Sequence, residues 1–378
     1  MSRYLLIDVG AGTMDVLWYD DDADLHYKAV VSSPVVQVAR DIEAIPGDLI
    51  VTGVEMGGGP VTQLLKMRSQ RADVTITTSA AATLSHDIHN ITDWGLTVVP
   101  DQAVEKILPD DPRTVVCLGD LDISRLENIV RGFGVPFSFD AVGVCAQDHG
   151  RPPRGVSHLD FRHGRFVEFL DKVPFPHALL YEKSEVPEEM NRLRSLALQA
   201  VNLPTREVFV MDSGMAAILG ASMDVAARGK RCLAVLDLAT SHTVGAVLAD
   251  NELAGFFEYH TRDITRERLE ALIRDLADGN LRHEQILAEG GHGCYLRSAV
   301  GFDNLEAIIA TGPRRGIING SGLPIRYGAP MGDNMMTGTA GLLEAIKRRC
   351  YVDAKNRLFA AHSEDRSGNT HFHRPGFA

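Results

Sequence analysis

The sequence predicts an α/β protein built from two similar domains. Runs rich in Val, Ile and Leu alternate with runs of helical periodicity, which is typical of α/β proteins with buried sheets. Two segments resemble each other, Leu5–Asp20 (LLIDVGAGTMDVLWYD, the first hairpin) and Leu233–Asp250 (LAVLDLATSHTVGAVLAD, the second hairpin). Their separation of about 230 residues suits two similar domains better than a short repeat, although two unrelated hairpins can look alike by chance. A chain of 378 residues is long enough for two or three domains.

The predicted strands and helices follow from apolar runs and from apolar spacing. The predicted strands are Tyr4–Val9, Asp48–Thr52, Val74–Thr77, Thr114–Leu118, Ala141–Gln147, Val208–Asp212, Leu233–Leu238, Thr243–Ala249 and Ala307–Thr311. The predicted helices are Val61–Gln70, Ser124–Phe133, Glu188–Val201, Thr265–Asp278 and Thr337–Arg348.

The first hairpin carries a carboxylate and glycines at its bend. Asp8 ends an apolar run, and Gly10, Gly12, Thr13 and Asp15 follow. Glycine N–H groups can approach a phosphate closely, an acid can hold a metal ion, and a hydroxyl can donate a hydrogen bond. The pattern therefore favours a nucleotide site over a plain hairpin with a glycine turn. Neither a P-loop nor a dinucleotide-binding glycine fingerprint occurs in this segment.

The second hairpin repeats the acid but not the glycines. Asp237 corresponds to Asp8, and His242 corresponds to Thr13. Ala239, Thr240 and Ser241 stand at the bend. Such a loop approaches a phosphate less closely through its backbone, so its hydroxyls and His242 are expected either to replace those contacts or to leave a weak site.

Five segments resemble, in the right order, motifs of the superfamily of actin, sugar kinases and heat-shock ATPases. Asp8–Asp15 resembles the phosphate-1 loop, and Asp237–Thr243 stands where the phosphate-2 loop is found. Val210–Ala221 is similar to the connecting helix, with small residues where two helices cross. Ile308–Pro313 resembles the adenosine turn, with one glycine where two are common, and Thr337–Ile346 resembles the final connecting helix.

This resemblance implies two ribonuclease H-like (actin-like ATPase) domains around a nucleotide cleft that binds ATP with Mg²⁺. The expected domains are residues 1–205 with inserted α/β segments, residues 206–350, and a polar tail over 351–378. Asp8 and Asp237 are expected to face each other across the metal, mostly through water, and to be catalytic. The residues expected to bind the nucleotide are Gly10, Ala11, Gly12, Thr13, Asp15, Thr240, Ser241, His242, Thr243, Gly312 and Pro313.

A closer resemblance is to a prokaryotic family of this superfamily, some of whose members are labelled pyruvate formate-lyase activating protein. It is carried by Glu55–Thr62, Gln147–Gly150, Gly290–Gly293, Thr311–Arg315 and Gly332–Ala345. Activation of that lyase needs a glycyl-radical generator with three clustered cysteines. The five cysteines here are scattered without a CxxC pair, which fits reduced thiols and argues against an iron–sulfur loop.

Further polar residues are secondary candidates. Asp148 and His149 follow a predicted buried strand, where either side chain can serve as a general base, or else form a polar turn bonded to local backbone. Glu55–Pro60 offers helix-start N–H groups to an anion, or is a loop crowded against other backbone. His292 lies between glycines in Gly290–Gly293 and is a further candidate for a functional role. Asp120 and Asp122 are metal or base candidates against helix capping, and Arg314 and Arg315 are phosphate or adenine candidates against a solvated surface pair.

The net charge and hydropathy of the chain exclude several classes of protein. The formal net charge of -12 disfavours sequence-independent nucleic-acid binding. No apolar run reaches the ~18–20 residues of a membrane span, and the short apolar run before Asp8 is unlike a secretory signal, so a cytoplasmic protein is expected. Asp20–Asp24 (DDDAD) is interpreted as a solvated hairpin tip. The tail histidines His371 and His373 are weak metal candidates.

Three uses of the predicted nucleotide cleft remain open from the sequence. The first is a phosphotransferase acting on a small molecule near Gln147–His149. The second is an ATP-hydrolysing activase that acts on a partner enzyme. The third is a non-catalytic nucleotide-binding module in which the altered second hairpin has lost catalysis.

Overall fold

The computed structural model describes residues 2–107 and 111–351, and the predicted tail falls outside these ranges apart from its first residue. The strands are β1 (Arg3–Val9), β2 (Thr13–Asp20), β3 (Leu25–Ser32), β4 (Leu49–Gly53), β5 (Val74–Thr77), β6 (Thr97–Val99), β7 (Thr114–Leu118), β8 (Phe139–Ala146), β9 (Leu180–Glu182), β10 (Thr205–Asp212), β11 (Cys232–Leu238), β12 (His242–Ala249), β13 (Glu252–His260), β14 (Gly293–Leu296), β15 (Ala307–Thr311) and β16 (Ile325–Tyr327).

The helices alternate with these strands. They are α1 (Pro34–Ala44), α2 (Gly59–Arg68), α3 (Thr78–Ala81), α4 (Ile88–Asp93), α5 (Asp101–Ile107), α6 (Ile123–Gly132), α7 (His158–Leu170), α8 (Asn191–Ala200), α9 (Ser213–Ser222), α10 (Arg266–Ala277), α11 (His283–Ala288) and α12 (residues 337–351). No helix in the described ranges combines the length and the apolar character needed to cross a membrane.

Two of the sheets have the same plan. The first sheet has the order β3-β2-β1-β8-β10-β9, and the second has the order β14-β13-β12-β11-β15-β16. In each, three consecutive antiparallel strands lead into two parallel strands on the other side of the first strand. This repeated topology is that of two ribonuclease H-like domains, as in the actin-like ATPase fold, and confirms the predicted fold class.

A third, four-stranded sheet is inserted between β3 and β8. Its order is β6-β5-β4-β7, and every neighbouring pair is parallel. It has its own hydrophobic core, to which Ile42, Leu49, Leu65 and Ile76 contribute. The insertion therefore packs as a separate α/β layer within the first half of the chain.

The helices α9 and α12 cross at two glycine residues, one on each helix. A Cβ atom placed on Gly220 would lie 1.8 Å from the carbonyl oxygen of Thr337, and one on Gly341 would lie 1.8 Å from the carbonyl oxygen of Ala216. The two backbones therefore touch directly, as the small residues of the sequence predict. Farther along α12, Leu342 and Ile346 pack on Gly143 of β8 in the first sheet.

The predicted elements were found with small shifts at their ends, and others were missed. The turn over residues 21–24 is the exposed tip of the β2–β3 hairpin, as predicted for the acidic run. The strands β3 and β13 and the helices α1 and α7 were not predicted. Strand β10 pairs with β8 in the first sheet, so the chain leaves that sheet after Asp212, later than the boundary expected at residue 205.

Candidate functional site

A cleft of about 760 Å³ lies where the two similar sheets and the inserted sheet meet. The bends of both hairpins line it, together with the loop after β4, the loop after β8, and the start of α12. The predicted site residues that line it are Asp8, Gly10, Ala11, Gly12, Thr13, Asp15, Asp148, His149, Asp237, Thr240, Ser241, His242, Gly312 and Pro313. The structure thus brings both halves of the predicted site to one cleft.

The bend of the first hairpin is fixed by backbone hydrogen bonds and by one hydroxyl. The Gly10 amide donates to the Thr13 carbonyl over 3.0 Å. The Ser33 amide donates to the Gly12 carbonyl over 3.0 Å, and the Ser33 hydroxyl donates to the Gly10 carbonyl over 2.6 Å. Ser33 is fully buried at the start of α1, so it holds the bend from behind.

The bend of the second hairpin repeats this arrangement bond for bond. The Ala239 amide donates to the His242 carbonyl over 3.1 Å. The Thr261 amide donates to the Ser241 carbonyl over 2.8 Å, and its hydroxyl donates to the Ala239 carbonyl over 2.8 Å. The internal resemblance read from the sequence is therefore a similarity of backbone geometry.

The two bends contact each other at the base of the cleft. A Cβ atom on Gly12 would lie 2.9 Å from the Thr240 methyl carbon, closer than real Cβ contacts allow. Thr240 therefore occupies the space that a glycine in the second bend would leave open, and a larger residue at Gly12 would require the Thr240 side chain to move.

Three buried or nearly buried carboxyl groups lie at the two bends. Burial raises the pKa of Asp8 to about 6 and that of Asp237 to about 7. Burial and the neighbouring Asp8 carboxylate raise the pKa of Asp15 to about 8, and its Oδ1 atom is buried without a hydrogen-bond partner. Such a group is suited to a cation, because a bound positive charge stabilises the ionised carboxylates.

Neighbouring elements position the two predicted metal-binding acids. Ser213, at the start of α9, donates to Asp8 Oδ1 over 2.9 Å. A Cβ atom on Gly338 would lie 1.9 Å from Asp8 Oδ2, so the start of α12 packs directly on this carboxylate. Thr311 donates to Asp237 Oδ1 over 2.9 Å from the neighbouring parallel strand.

The predicted adenosine turn lies beside Asp237. Gly312 has a φ of +86°, and a Cβ there would lie 2.5 Å from the Leu238 carbonyl oxygen. The Asn334 side-chain amide donates to the Gly312 carbonyl over 3.0 Å. Glycine is therefore required at this turn both by its conformation and by its close packing. Arg315, which was a candidate to contact phosphate or adenine, donates to the Gly328 carbonyl over 2.7 Å.

Thr243 is a correction to the predicted set. It is fully buried, and its hydroxyl lies 3.0 Å from the Thr261 hydroxyl rather than in the cleft. Alternate residues of a strand point to opposite faces, so Thr243 faces away from the cleft that its neighbours His242 and Val244 line.

Asp148 also differs from its expected role. Its Oδ1 accepts from the Gly150 amide over 2.8 Å and its Oδ2 from the Leu193 amide over 2.9 Å. Both oxygens are thus used to hold the loop after β8 against the start of α8, as in the alternative of a polar turn. Asp122 similarly caps α6, while Asp120 pairs with Arg192 over 2.8 Å.

His149 faces a buried charged network that the sequence did not predict. Burial and nearby Arg162 lower the pKa of His149 to about 3. Arg162 on α7 pairs with Asp212 over 2.9 Å and with Glu258 of β13, and Glu258 also accepts from the Gln147 side chain. The Arg162 guanidinium holds the pKa of Glu258 well below its usual range. This network links the first sheet to the second beneath the cleft.

The loop of the inserted domain supplies the remaining side of the cleft. Glu55 and Gly57 to Gly59 line it, followed by α2, which begins at Gly59. His86 Nε2 lies 2.9 Å from Glu55 Oε1 and 3.1 Å from Asn191 Nδ2. The glycines are also crowded, since a Cβ on Gly58 would lie 2.6 Å from the Thr83 carbonyl oxygen. The crowding predicted for this loop is thus present, and its binding of an anion stays a prediction.

Sequence reasoning missed Arg162, Glu258 and His260. Arg162 and Glu258 are buried charges on elements that were not predicted, α7 and β13. His260 ends β13 and stands directly opposite His242 on β12. A third antiparallel strand after the second hairpin would have placed one of its residues opposite His242. That pairing was the only signal in the sequence for His260.

Several solved structures align with most of the chain, at low sequence identity and low TM-score. The ethanolamine utilization protein EutJ from Carboxydothermus hydrogenoformans is 10% identical, with 90% of this chain and 89% of that chain covered and a TM-score of 0.30. A ROK hexokinase from Thermus thermophilus is 12% identical over 91% and 98% of the two chains, with a TM-score of 0.32. The activator of the 2-hydroxyisocaproyl-CoA dehydratase from Clostridium difficile is 9% identical over 92% and 97%, with a TM-score of 0.33.

A family model, in contrast, matches this sequence over most of its length. No curated protein matches this sequence. The model covers residues 56–317, which include β5, β6 and β7 of the inserted sheet, the second hairpin and the predicted adenosine turn. The chain therefore belongs to the family described as "Putative pyruvate format-lyase activating enzyme (DUF1786)".

Proposed function

We propose that the chain binds ATP with Mg²⁺ in its cleft and transfers the terminal phosphoryl group to a small acceptor. The observation that carries this proposal is the continuity of the cleft. The same cleft is lined by Asp8 and Asp237 and also by Glu55 and the loop after β8. It therefore offers groups for a nucleotide and further groups for an acceptor.

The carboxyl groups at the bends fit a hard cation. Asp8, Asp15 and Asp237 offer oxygen ligands, which Mg²⁺ prefers, and the unpartnered Oδ1 of Asp15 leaves one of these oxygens unsatisfied in the protein alone. When bound, ATP with Mg²⁺ supplies the phosphoryl group and neutralises its charge. In this proposal Asp8 and Asp237 hold the ion through water, and the amides of Ala11 to Thr13 receive the phosphates.

The cleft also offers groups for an acceptor hydroxyl. Asp148 is occupied by backbone amides, and a pKa of about 3 makes His149 a weak base. Glu55 is a carboxylate in the cleft whose Oε1 is held by His86. We assign Glu55 to the acceptor, as the group that orients its hydroxyl and takes its proton. Positioning of this kind supplies most of what phosphoryl transfer requires.

Calorimetry with ATP and Mg²⁺ tests the binding step. The parent and an Asp41→Ala control, which changes an exposed carboxylate on α1, should bind, and Asp8→Ala should bind far more weakly. A parent without binding under several conditions would rule out the nucleotide site. An Asp8→Ala variant that binds and turns over like the parent would rule out the role of Asp8.

A screen of ATP turnover against a metabolite library tests the transfer step. A phosphotransferase should release ADP faster with one particular metabolite, and Glu55→Gln should lose this stimulation while still binding ATP. Binding that raises the melting temperature without any phosphate release would instead indicate a non-catalytic module.

A nucleotide-driven switch that acts on a partner protein is the second candidate. It is favoured by the contacts of Asp8, because the ends of both crossing helices, Ser213 on α9 and Gly338 on α12, touch this one carboxylate. A ligand that moves Asp8 therefore acts on both helices. A switch should hydrolyse ATP slowly alone and respond to a protein rather than to a metabolite. The family description names an activating enzyme, but none of the five cysteines belongs to a group of metal-ligating side chains within the described residues.

A further inference from the structure

Three histidines converge on the second-sheet side of the cleft. His242 begins β12, His260 ends β13 directly opposite it, and His292 immediately precedes β14. The His292 amide donates to the Glu258 carbonyl over 2.8 Å, which brings the third strand into line with the other two. We call His242, His260 and His292 the histidine cluster. All three side chains line the cleft.

The spacing of the rings suits a shared ion. The ring centroids are 4.9 Å apart for His242 and His260, 4.8 Å for His242 and His292, and 4.4 Å for His260 and His292. One nitrogen from each ring lies within 4.8 Å of the others. Two nitrogens bound tetrahedrally to zinc at 2.0–2.1 Å lie about 3.3 Å apart. The Nε2 atoms of His260 and His292 are already 3.1 Å apart, and the set is complete when the His242 ring moves toward them.

The polar atoms of the cluster are incompletely satisfied without an ion. His242 Nε2 is buried and has no hydrogen-bond partner. The two Nε2 atoms of His260 and His292 face each other, so at most one of them can donate while the other accepts. Buried polar groups without partners are costly, and a metal ion would satisfy all three nitrogens at once.

A carboxylate lies behind one member of the cluster. Glu258 Oε1 lies 3.5 Å from His292 Nδ1, which makes no hydrogen bond, on the side of the ring away from His260. Glu258 is itself held by Arg162 and Gln147. Metal-bound histidines are typically oriented by an acceptor at the second ring nitrogen, and a carboxylate is one of the common choices.

We propose that the histidine cluster binds one divalent transition-metal ion of the zinc type, with a fourth position open to the cleft. Three imidazoles suit zinc, cobalt or nickel, whereas magnesium prefers oxygen ligands, so this site is separate from the one at the two acids. Three protein ligands with one open position is also the arrangement of catalytic zinc sites. The open position takes water or an anionic oxygen of a cleft ligand.

The site lies where the second hairpin departs from the first. His242 stands at the position of Thr13, in the bend that lacks glycine. A bound cation there would offer an anionic ligand a positive charge in place of the backbone amides that the first bend presents.

Titration of chelator-stripped protein with Zn²⁺ against a chromophoric chelator, without nucleotide, tests this proposal. We expect one Zn²⁺ per chain with a Kd below about 1 μM, unchanged by millimolar Mg²⁺, and visible absorption bands of tetrahedral type with Co²⁺. Because no nucleotide is present, the result does not depend on the proposed ATP site. A parent chain that binds no Zn²⁺ overturns the proposal.

Matched variants locate the ion. His260→Ala and His292→Ala should each weaken Zn²⁺ binding by at least about 100-fold, more than the loss of an outer partner of a metal site. His89→Ala, at an exposed position on α4, and a His371→Ala/His373→Ala variant of the tail should bind like the parent. Unchanged binding in both cluster variants overturns the proposal, as does loss in the tail variant alone. Because His260 is only half-buried, we expect the His260→Ala variant to fold. Melting curves recorded without metal test this.

Discussion

The two hairpins that face each other across the cleft share a backbone but not a chemistry. In each, an amide closes the bend and a hydroxyl from the following segment, Ser33 or Thr261, donates to the same carbonyl position. At the bend itself, Gly12 on one side meets Thr240 on the other. The hydrogen-bond frame that shapes a bend is therefore separable from the side chains that decide what the bend can bind.

Because the two bends carry different side chains, they are expected to bind different groups. The first bend exposes glycine amides beside two acids and a hydroxyl, while the second presents one acid and two hydroxyls beside the histidine cluster. The first side is thus suited to phosphates and a hard cation, and the second to a softer metal. The following predictions test this division, beginning with the largest expected effect.

The largest effect should come from disturbing the backbone contact between α9 and α12. Gly220→Ala forces its Cβ against the Thr337 carbonyl and should lower the free energy of unfolding by about 3 kcal/mol. Gly164→Ala on α7 is the matched control, because no atom lies within 4 Å of the added Cβ, and it should raise stability by up to about 1 kcal/mol. Thermal unfolding of both variants measures this. Equal stability of the two would mean that the helices are not in backbone contact.

Removing the acid from each side should have unequal effects on ATP turnover. We expect Asp8→Asn to lower it about 100-fold and Asp237→Asn about tenfold, the range seen when outer partners of a metal are lost. The reason is that the phosphates approach the glycine-bearing side more closely. Steady-state rates with saturating Mg²⁺ give both values, and a larger loss for Asp237→Asn would reverse the comparison.

The contact between the two bends should show coupling. Gly12→Ala is expected to weaken ATP binding about tenfold, or 1.4 kcal/mol, because its methyl meets Thr240. In the double variant with Thr240→Gly, most of this loss should be recovered, since the opposing methyl is gone. Calorimetry on the four proteins forms a complete cycle. Additive losses would show that the bends do not meet in the nucleotide-bound protein.

The smallest effect concerns the shared frame. Ser33→Ala and Thr261→Val each remove one buried hydroxyl that donates to a bend carbonyl, and each should cost at least about 1 kcal/mol of stability. Chemical denaturation should show the larger loss for Thr261→Val, because the buried Thr243 hydroxyl then also loses a partner. If only one variant is destabilised, the two frames are alike in geometry but not in energy.

Much of the fold was accessible from the sequence, and particular features explain why. The runs that became β1, β11 and β15 are apolar on both faces, because helices and neighbouring sheets cover them, and such runs are easily recognised. Strand β3 was missed because it lies at the edge of its sheet and has no fully buried residue, so polar residues alternate with its apolar ones. Helix α7 was missed because Arg162 and Phe166 share its buried face, which breaks the apolar pattern.

The candidate site was only partly accessible, for a different reason. Asp8 and Asp237 are marked by local patterns within single hairpins. The histidine cluster and the Arg162 network form between residues far apart in the chain, through strand pairing and domain packing. No local spacing records those contacts. The orientation of Thr243 also required the register of β12, since a shift by one residue exchanges the two faces of a strand.

The glycine crossing of α9 and α12 makes the two helices levers of unequal length. On α12 the contact runs from Thr337 to Gly341 and so includes Gly338, whereas on α9 it runs from Ala216 to Gly220 and Ser213 lies three residues, about 4.5 Å, before it. For a small rotation at the crossing, the Ser213 end therefore travels farther than Gly338. Both helices contact Asp8, so such a rotation would lengthen the hydrogen bond from Ser213 before it changed the packing of Gly338 on this carboxylate.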